Sequence, residues 1–331
     1  MKARPERTQT MRITKEKAAE MLLSMDNILI FAHENPDGDA VGSTCALCRG
    51  LIALGKNARV WLKGIPKNDL KLTEGIMYNG DFTPDHIVTV DTADNRIMCA
   101  EYGSFSKETP VELCIDHHYS NTMYAENTYL DDEAAAAGEA VYDILREMNA
   151  PITKEIAECI YVAVATDTGC FRFSNTTAKT LRTAADMLDK GINAGEINRI
   201  QFETKSKEYA ALEKMALADM QLSLDGKCAL LVLTHEMYEK SGAKDCDTQA
   251  LSSLPRQIEG VLVGITMKEK EEGLFRISVR TNAPADASAV AAQLGGGGHK
   301  MAAGCSFRGT KDEAVKAVLD YTRKHLEGLG L

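Results

Sequence analysis

Short apolar runs that alternate with amphipathic stretches form the pattern of the first half of the chain. Four runs are almost continuously apolar: NILIFAH, NARVWLK, HIVTVD and VELCID, which begin at residues 27, 57, 86 and 111. Behind the first run, AVGSTCALCRGLIALG has the length and spacing of a buried helix that ends at Gly55. Strands that are apolar on both faces and alternate with helices are typical of a parallel sheet covered on both sides. The pattern therefore predicts an α/β domain.

Helical periodicity and further strands extend this pattern over the rest of the chain. Helices are predicted over residues 14–24, 134–149, 152–169 and 176–191, and a charged amphipathic stretch predicts one long connecting helix from Glu196 to Ser223. Beyond it, strands are predicted at KCALLVLT, GVLVGITMKE and LFRISVRTN, and helices at DASAVAAQL and from Lys311. The chain has 331 residues, and single cores stop growing at roughly 250 to 300 residues. We therefore predict a first domain over 12–195, a helical linker over 196–223 and a smaller α/β domain over 224–331.

Acidic and histidine side chains lie at or just after the carboxyl ends of three of the four apolar runs, and one more lies near the end of a predicted helix. The set is His33, Asp37, Asp39, Asp91, Asp116, His117, His118 and Asp167. Ligands of open parallel sheets bind outside the carboxyl ends of the strands, so we expect this chemistry at one edge of the sheet. Taken singly, a histidine at a strand end or an aspartate beside a glycine is usually structural. Four of the seven histidines, however, lie in such polar clusters: His33, His117, His118 and His299.

The composition of this set points to metal ions. Buried carboxylates are costly without a cation, and no Arg or Lys neighbours these aspartates in the sequence. Mixed carboxylate and imidazole ligands favour manganese over calcium or structural zinc. Two such ions about 4 Å apart lower the pKa of a shared water and hold a phosphoryl oxygen, which predicts phosphate-ester hydrolysis. Because Pro36 and Gly38 suit a sharp turn, we predict that His33 and Asp37 bind one ion and Asp39 the other.

Composition and net charge indicate where the protein is located and which partners it could bind. The chain is 44% hydrophobic and 26% charged, as in ordinary globular proteins, and no run approaches the ~20 apolar residues of a membrane span. The basic opening lacks the apolar stretch of a secretory signal, so we expect a cytoplasmic protein without a membrane partner. Its nine cysteines are expected as reduced, buried thiols. A net charge of −10 argues against binding long duplex nucleic acid, but bound cations would still admit a short anionic substrate.

Five ordered motifs resemble those of a known family. HENPDGDAVGS, VDTAD, DHHYSN and ATDTGCFRF resemble the four motifs of the DHH phosphoesterase superfamily, and GGGGHKMAAG resembles its DHHA1 domain. The resemblance runs from about Asn27 to the end of the chain and is strongest to the nanoRNase/pAp phosphatase subgroup. It implies two divalent metal ions, most often Mn²⁺. It also implies a DHH catalytic domain with a mostly parallel sheet and a DHHA1 substrate-binding domain.

The resemblance also implies residue roles. His33 and Asp37 hold the first metal, Asp39 and His117 the second, and Asp91 bridges both. Asp167 joins the second-metal side or the bridge. His118 faces the scissile phosphate, and Asp116 contacts residues of the site without binding a metal itself. The catalytic residues are therefore taken as Asp91, Asp116 and His118.

Substrate contacts are expected mainly in the second domain. The glycine run offers unobstructed backbone N–H groups that suit an anion. The residues predicted to bind the terminal 5′ phosphate or base are Arg280, His299, Gly297, Gly298, Lys300 and Asn282. Arg172 in FRFSN is a further phosphate contact, although an exposed structural arginine is an equal alternative. Relatives often carry a Ser/Thr-rich segment after DHHYSN, whereas this chain has AAAAGE, so the resemblance does not carry a hydroxyl contact to substrate over to that segment, while the implied metal ligands are unaffected.

The predicted function is manganese-dependent hydrolysis of very short oligonucleotides, such as pApA to nucleoside monophosphates, and of pAp to AMP. Two domains would close a small cleft over the substrate, and a homodimer is plausible for the family. Alternatives within the superfamily are a cyclic-dinucleotide phosphodiesterase, a RecJ-like single-strand exonuclease, and an inorganic pyrophosphatase or polyphosphatase. A non-catalytic nucleotide-binding module is a remote alternative, because every expected metal ligand is present.

Overall fold

The computed structural model describes residues 11–105, 110–244 and 250–331. Between Thr204 and Lys205 the chain divides into two compact units. The basic opening segment, residues 1–10, lies outside the described part of the chain. Among the helices that the structure describes, none is both long and apolar enough to cross a membrane.

The first unit is built on a six-stranded parallel sheet, as the apolar runs predict. Its strands lie in the order β1-β6-β5-β4-β2-β3, and every neighbouring pair is parallel. They are β1 Met11–Arg12, β2 Ile28–Phe31, β3 Ala58–Trp61, β4 His86–Val90, β5 Val111–Asp116 and β6 Asn127–Leu130. The sequence analysis missed β1 and β6, because β1 has two residues and β6, NTYL, has four, of which the first two are polar. The predicted α/β class is confirmed.

Both faces of this sheet are covered. The helices are α1 Lys15–Ser24, α2 Gly38–Ala53, α3 Tyr102–Phe105, α4 Ala137–Glu147, α5 Lys154–Asp167, α6 Ala178–Asp189 and α7 Ala194–Asn198. In β2, Ile28 and Ile30 join the core beneath α1, α2, α4 and α5, whereas Leu29 and Phe31 join an aromatic cluster on the opposite face. Alternate side chains of one strand therefore serve two cores, which explains its unbroken apolar run.

Helices α2 and α5 pack almost backbone to backbone beneath the sheet. A Cβ on Gly42 would lie 2.5 Å from the carbonyl oxygen of Cys159, so this contact needs a glycine. Cys45 and Cys48 are buried in the same layer, and burial raises the pKa of both thiols. Of the eight cysteines within the described residues, all are free and seven are buried, as expected for reduced core thiols.

The second unit contains a six-stranded mixed sheet in the order β11-β12-β10-β9-β8-β7, in which β8 and β9 form the parallel pair. Its strands are β7 Gln221–Ser223, β8 Cys228–Leu233, β9 Val263–Glu271, β10 Leu274–Thr281, β11 Gly297–His299 and β12 Ala302–Arg308. Its helices are α8 Lys207–Ala218, α9 His235–Ser241, α10 Ala287–Ala292 and α11 Lys311–Gly328. The three strands and two helices predicted here are confirmed, and β7, β11, β12 and α9 are additional.

The stretch predicted as one connecting helix is instead broken. Helix α7 runs into a π-helical turn, Arg199–Glu203, and α8 begins only at Lys207 after an extended residue at Thr204. Through Tyr209, Leu212 and Ala216, α8 belongs to an apolar cluster of the second unit, and residues 221–223 form β7. The prediction of a single helix over 196–223 is therefore wrong: the backbone is extended at Thr204, where the first compact unit ends, and residues 221–223 form a strand of the second unit. The proposed domain limits at 195 and 224 stay predictions.

The π-helical turn is anchored by a buried carboxyl group. Asp69 lies in a 3-10 segment, Lys67–Thr73, is 2% exposed and accepts a hydrogen bond from Nε2 of Gln201. Asn68 donates a second hydrogen bond to the carbonyl of Ile200 over 2.8 Å. Burial raises the pKa of Asp69 from 3.8 to about 6. The folded protein thus favours the neutral carboxyl group.

We expect Asp69→Asn to stabilise the protein at pH 7.5. The pKa of Asp69 is higher in the folded than in the unfolded state, so its contribution to stability is complete below pH 3.8 and is lost as the pH rises through about 6. An asparagine avoids that loss and still accepts from Gln201. We expect a gain of about 3 kcal/mol in the free energy of unfolding at pH 7.5 that shrinks toward zero near pH 4, measured by urea denaturation. An equal gain at both pH values would contradict this assignment.

Candidate metal centre

The predicted residues converge on one edge of the parallel sheet. His33 lies two residues beyond the end of β2, Asp91 directly follows β4, and Asp116 ends β5. Asp37 caps the start of α2, and Asp167 is the last residue of α5. Parallel strands bring their carboxyl ends to the same edge, and this geometry collects residues that are far apart in sequence.

The turn between β2 and α2 presents two carboxylates. Oδ1 of Asp37 accepts hydrogen bonds from the backbone N–H groups of Asp39 and Ala40, both at 3.1 Å, which caps α2. The left-handed residue of this turn is Asn35, with a φ of 55°. The sequence analysis assigned Gly38 to a sharp turn, but the structure gives another reason for a glycine here. A Cβ on Gly38 would lie 2.6 Å from Oγ1 of Thr166 on α5. The turn is thus fixed against the neighbouring helix.

The donor atoms form two groups that could each hold an ion. His33, Asp37 and Asp91 make up one group, and Asp39, His117 and Asp167 make up the other, with the ligand atoms of each group within 4.8 Å of one another. Asp91 connects them: its Oδ2 lies 3.8 Å from Nε2 of His33, and its Oδ1 lies 3.5 Å from Nε2 of His117. A third group combines Asp91 with His117 and His118. The structure therefore places all six predicted metal ligands together.

Asp39 is held by the first amides of α4. Its Oδ2 accepts from the N–H of Ala137 over 2.7 Å and its Oδ1 from the N–H of Gly138 over 3.0 Å. Its Oδ2 also lies 3.6 Å from Nε2 of His117. Burial, and next the negative charge of Asp91, raises the pKa of Asp39 well above its usual value. The helix start orients this carboxylate but leaves its charge only partly compensated.

Asp91 is the most constrained member of the centre. It is 2% exposed and adopts a left-handed backbone conformation with a φ of 53°. Within the described residues, its Oδ1 has no hydrogen-bond partner. Burial, and next the charge of Asp37, raises the pKa of Asp91 well above its usual value. Unusual backbone geometry and an unsatisfied buried carboxylate are features of functional sites rather than of ordinary cores.

His117 is oriented by the backbone of the AAAAGE segment. Its Nδ1 lies 3.3 Å from the carbonyl oxygen of Ala134, so Nδ1 carries the proton and Nε2 faces the carboxylates. Nε2 lies 3.8 Å from Oδ2 of Asp167, and burial raises the pKa of that carboxyl group. The alanine segment therefore serves the site through its carbonyl and amide groups, and the missing hydroxyls leave these contacts intact.

His118 points its second nitrogen away from its anchor. Its Nδ1 lies 2.8 Å from Oδ1 of the fully buried Asp116, and this hydrogen bond raises the pKa of His118 to about 9. Burial alone would raise the pKa of Asp116, but hydrogen bonds from His118 and Asn121 outweigh it and lower the pKa. An imidazolium held at Nδ1 leaves Nε2 as a hydrogen-bond donor. This is the arrangement that suits contact with a phosphate oxygen.

Divalent ions fit this donor set. Three carboxyl groups, Asp39, Asp91 and Asp167, have pKa values raised by burial, which means that they lack enough positive charge around them. Bound cations would supply that charge. The donors are oxygen and imidazole nitrogen without any thiolate, which suits Mn²⁺ or a similar ion better than structural zinc.

The predicted substrate residues lie mostly in the second unit. Arg280 on β10 is half-buried, and burial, followed by the positive charge of Arg256, lowers its pKa. The sequence analysis missed Arg256, because nothing in LPRQ marks it. Asn282 has a structural role, since its Nδ2 donates to the carbonyl oxygens of Arg256 and Val261 over 3.0 and 2.9 Å. A guanidinium pair without a carboxylate partner among the described residues suits a phosphate.

The glycine run forms an edge strand. Residues 297–299 make up β11, which pairs with β12 on one side, and His299 and Lys300 are exposed. Gly296 and Gly298 are required by close approach, because a Cβ would lie 2.2 Å from the carbonyl oxygen of Gly304 and 2.6 Å from that of Ala302. A Cβ on Gly297 would meet nothing. The run is thus partly a packing feature, with one edge open for an anion.

Two further features of the first unit border the centre. Arg172 is exposed and donates from Nε to the carbonyl of Gly169. It follows three consecutive left-handed residues, Gly169, Cys170 and Phe171. Asn175, which the sequence analysis missed, donates to the carbonyl oxygens of Ala135 and Asp167 over 3.1 and 3.2 Å and so ties the two loops together. An asparagine within a loop carries no sequence signal of such a role.

Comparisons with known proteins show the family to which the chain belongs. A family model described as the DHH family, N-terminal domain, matches residues 27–164, and one described as the DHHA1 domain matches residues 227–324. The bifunctional oligoribonuclease and PAP phosphatase NrnA of Thermus thermophilus is 32% identical over 320 residues, 94% of each chain. The protein of the same name from Bacillus subtilis is 27% identical, over 89% of this chain and 93% of that one. The crystal structure of an exopolyphosphatase-related protein from Bacteroides fragilis superposes with a TM-score of 0.86 at 26% identity, over 96% of this chain and 98% of that one.

Proposed function

Since this chain belongs to the DHH family and carries a DHHA1 domain, we propose that it is a metal-dependent phosphoesterase of very short oligonucleotides and pAp. It would cleave dinucleotides such as pApA to nucleoside monophosphates and convert pAp to AMP. The observation that carries the proposal is the pair of donor groups that meet at Asp91, on a chain that aligns with NrnA over nearly its full length.

We propose two divalent ions, most readily Mn²⁺, as the cofactors. His33 and Asp37 would hold one, Asp39, His117 and Asp167 the other, with Asp91 shared between them. Bound there, such ions supply Lewis acidity and a lowered water pKa. Residues of the chain would position these groups and contact the phosphate. Asp91 fixes the two groups relative to each other, the amides of α4 orient Asp39, and His118 offers a protonated Nε2 to the scissile phosphate.

The second domain would select the substrate. We propose that Arg280 and His299 bind a terminal 5′ phosphate or the base, with Lys300 and the open N–H groups near Gly297 beside them. A net charge of −10 supports a small anionic substrate rather than long nucleic acid. A cytoplasmic location and a homodimer complete the proposal.

Product analysis tests this function most directly. With Mn²⁺ present, 5′-labelled oligonucleotides of two, five and twenty-four nucleotides are compared over time with pAp, a cyclic dinucleotide, pyrophosphate and polyphosphate. We expect the dinucleotide and pAp to disappear first and the longest strand to persist. Processive loss of the longest strand would show a RecJ-like exonuclease instead. The resemblance to an exopolyphosphatase-related protein makes polyphosphate a necessary comparison, and its preferential cleavage would overturn the proposal.

Replacement of Arg280 separates binding from chemistry. We expect Arg280→Ala to raise KM for pApA by about tenfold or more and to change kcat less than threefold, because the lost contact is made equally in ground and transition states. Arg276→Ala is the matched control, since Arg276 lies four residues earlier on the same strand and is exposed. Steady-state kinetics measure both. A fall in kcat at unchanged KM would remove Arg280 from the substrate-binding set.

A further inference from the structure

Behind His118, a chain of hydrogen bonds continues to a residue that no role yet explains. Asn121 Nδ2 donates to Oδ2 of Asp116 over 2.6 Å, while Oδ1 of Asp116 accepts from Nδ1 of His118 over 2.8 Å and from the N–H of His117 over 2.9 Å. Asp116 is fully buried. Both of its oxygens are therefore committed, one to the histidine pair and the other to Asn121.

The rest of Asn121 is equally fixed. Its Oδ1 accepts from the N–H of Met123 over 2.7 Å, and its own N–H donates to the carbonyl of His118 over 3.0 Å. A longer contact of Nδ2, 3.4 Å, reaches the carbonyl of Thr92 in the loop after β4. The amide thus cannot rotate without breaking several bonds, so its N–H₂ end stays directed at Asp116. A carboxylate that could rotate would not hold the imidazole in one orientation.

We propose that Asn121 is a positioning residue that orients His118 toward the scissile phosphate through Asp116. The step rests on the proposed function, because His118 needs a phosphate to act on. The hydrogen bonds that the structure describes for Asn121 go to residues other than the six proposed metal ligands. Asn121 acts on the imidazole of His118 through the buried carboxylate of Asp116. Because Asn121 fixes this carboxylate, the hydrogen bond from Nδ1 of His118 keeps the ring, and therefore Nε2, in one orientation.

The isosteric variant Asn121→Asp isolates this contact. An aspartate keeps the Oδ1 that accepts from Met123, so the turn is preserved, but it replaces the donor with a carboxylate oxygen that repels Asp116. Asn127→Asp is the matched control. Asn127 donates from Nδ2 to the carbonyl of Glu112, which lies on the same strand as Asp116 but has no link to His118.

Kinetics on pApA and on bis(p-nitrophenyl) phosphate test the proposal. We expect Asn121→Asp to lower kcat by about 10–100-fold with KM within about threefold, and Asn127→Asp to stay within about twofold of wild type. In a His118→Ala background, Asn121→Asp should have no further effect. Mn²⁺ affinity from calorimetry should stay within about threefold. Unchanged kcat, or the same loss in the His118→Ala background, would overturn the positioning role.

A measurement that does not depend on turnover tests the role of Asn121 independently of the proposed function. If the wild-type protein cleaves neither diester, the proposed function fails while the orientation of His118 can still be observed. In a crystal structure of metal-free Asn121→Asp, we expect the His118 ring to leave its hydrogen bond with Asp116, and in Asn127→Asp to keep it. A ring that stays in place in Asn121→Asp contradicts the proposal whatever the activity of the wild type.

Discussion

Asp91→Ala should reduce kcat on pApA by at least about a thousandfold, which corresponds to roughly 4 kcal/mol of transition-state stabilisation. Asp91 belongs to the first donor group and approaches the second: its Oδ2 lies 3.8 Å from Nε2 of His33, and its Oδ1 lies 3.5 Å from Nε2 of His117. Its loss therefore affects both proposed ion sites at once. The measurement is a steady-state assay over a range of Mn²⁺ concentrations, so that weakened binding and lost chemistry are distinguished.

Stability gives the same variant an independent readout. Because burial raises the pKa of Asp91, the carboxylate is a liability in the metal-free protein, and we expect Asp91→Ala without metal to have a Tm at least equal to that of wild type. Mn²⁺ should raise the Tm of wild type but not of the variant. Asp94→Ala is the control, since Asp94 lies in the same motif but pairs with Arg96 at the surface. Near-wild-type turnover by Asp91→Ala would refute the two-metal proposal.

His118→Ala should lower kcat about a hundredfold to a thousandfold and leave Mn²⁺ affinity almost unchanged. The hydrogen bond with Asp116 raises the pKa of His118 to about 9, above its ordinary 6.5, so the imidazolium is present at neutral pH and is lost as the pH rises through about 9. Removing the ring removes a charged donor while the two ion groups His33–Asp37–Asp91 and Asp39–His117–Asp167 stay complete. Steady-state kinetics and calorimetric Mn²⁺ titration measure the two quantities.

His86→Ala provides the matched control for this variant. His86 also pairs with a carboxylate, its Nδ1 lying 3.0 Å from both oxygens of Glu112, but it lies at the start of β4, at the opposite edge of the sheet. We expect its kcat to stay within about twofold of wild type. A His118→Ala variant that loses Mn²⁺ binding instead of kcat would identify His118 as a ligand, as in the third donor group with Asp91 and His117.

The sequence was informative at positions where one physical requirement, such as burial on both faces of a sheet, allows only a few residue types. A strand buried on both faces must be apolar throughout, so β2, β4 and β5 could be read directly from the runs that form them. The carboxyl ends of such strands must meet at one edge, which made the convergence of His33, Asp91 and His117 predictable. Short or half-exposed strands such as β6 and β12 satisfy no comparable demand and were missed.

Backbone contributions were invisible in the sequence. The alanine segment before α4 has no side-chain chemistry, yet its carbonyl at Ala134 orients His117 and its amide at Ala137 holds Asp39. Every residue type except proline offers the same amide and carbonyl, so no pattern marks such a role. Gly38 was singled out for the wrong reason, because the packing of α2 on α5, and not the local turn, excludes a side chain there.

By itself, the sequence determined the α/β class, the edge of the sheet at which the acidic and histidine side chains gather, and residue types that could hold metal ions, since apolar periodicity and unpaired acids are local properties of the chain. Only the tertiary structure decided that Asn121 lies behind Asp116 and His118, that backbone groups before α4 contact His117 and Asp39, and that the predicted connecting helix is broken near Thr204. These features depend on distances between segments far apart in the chain. Such distances are set by packing, which no local pattern encodes.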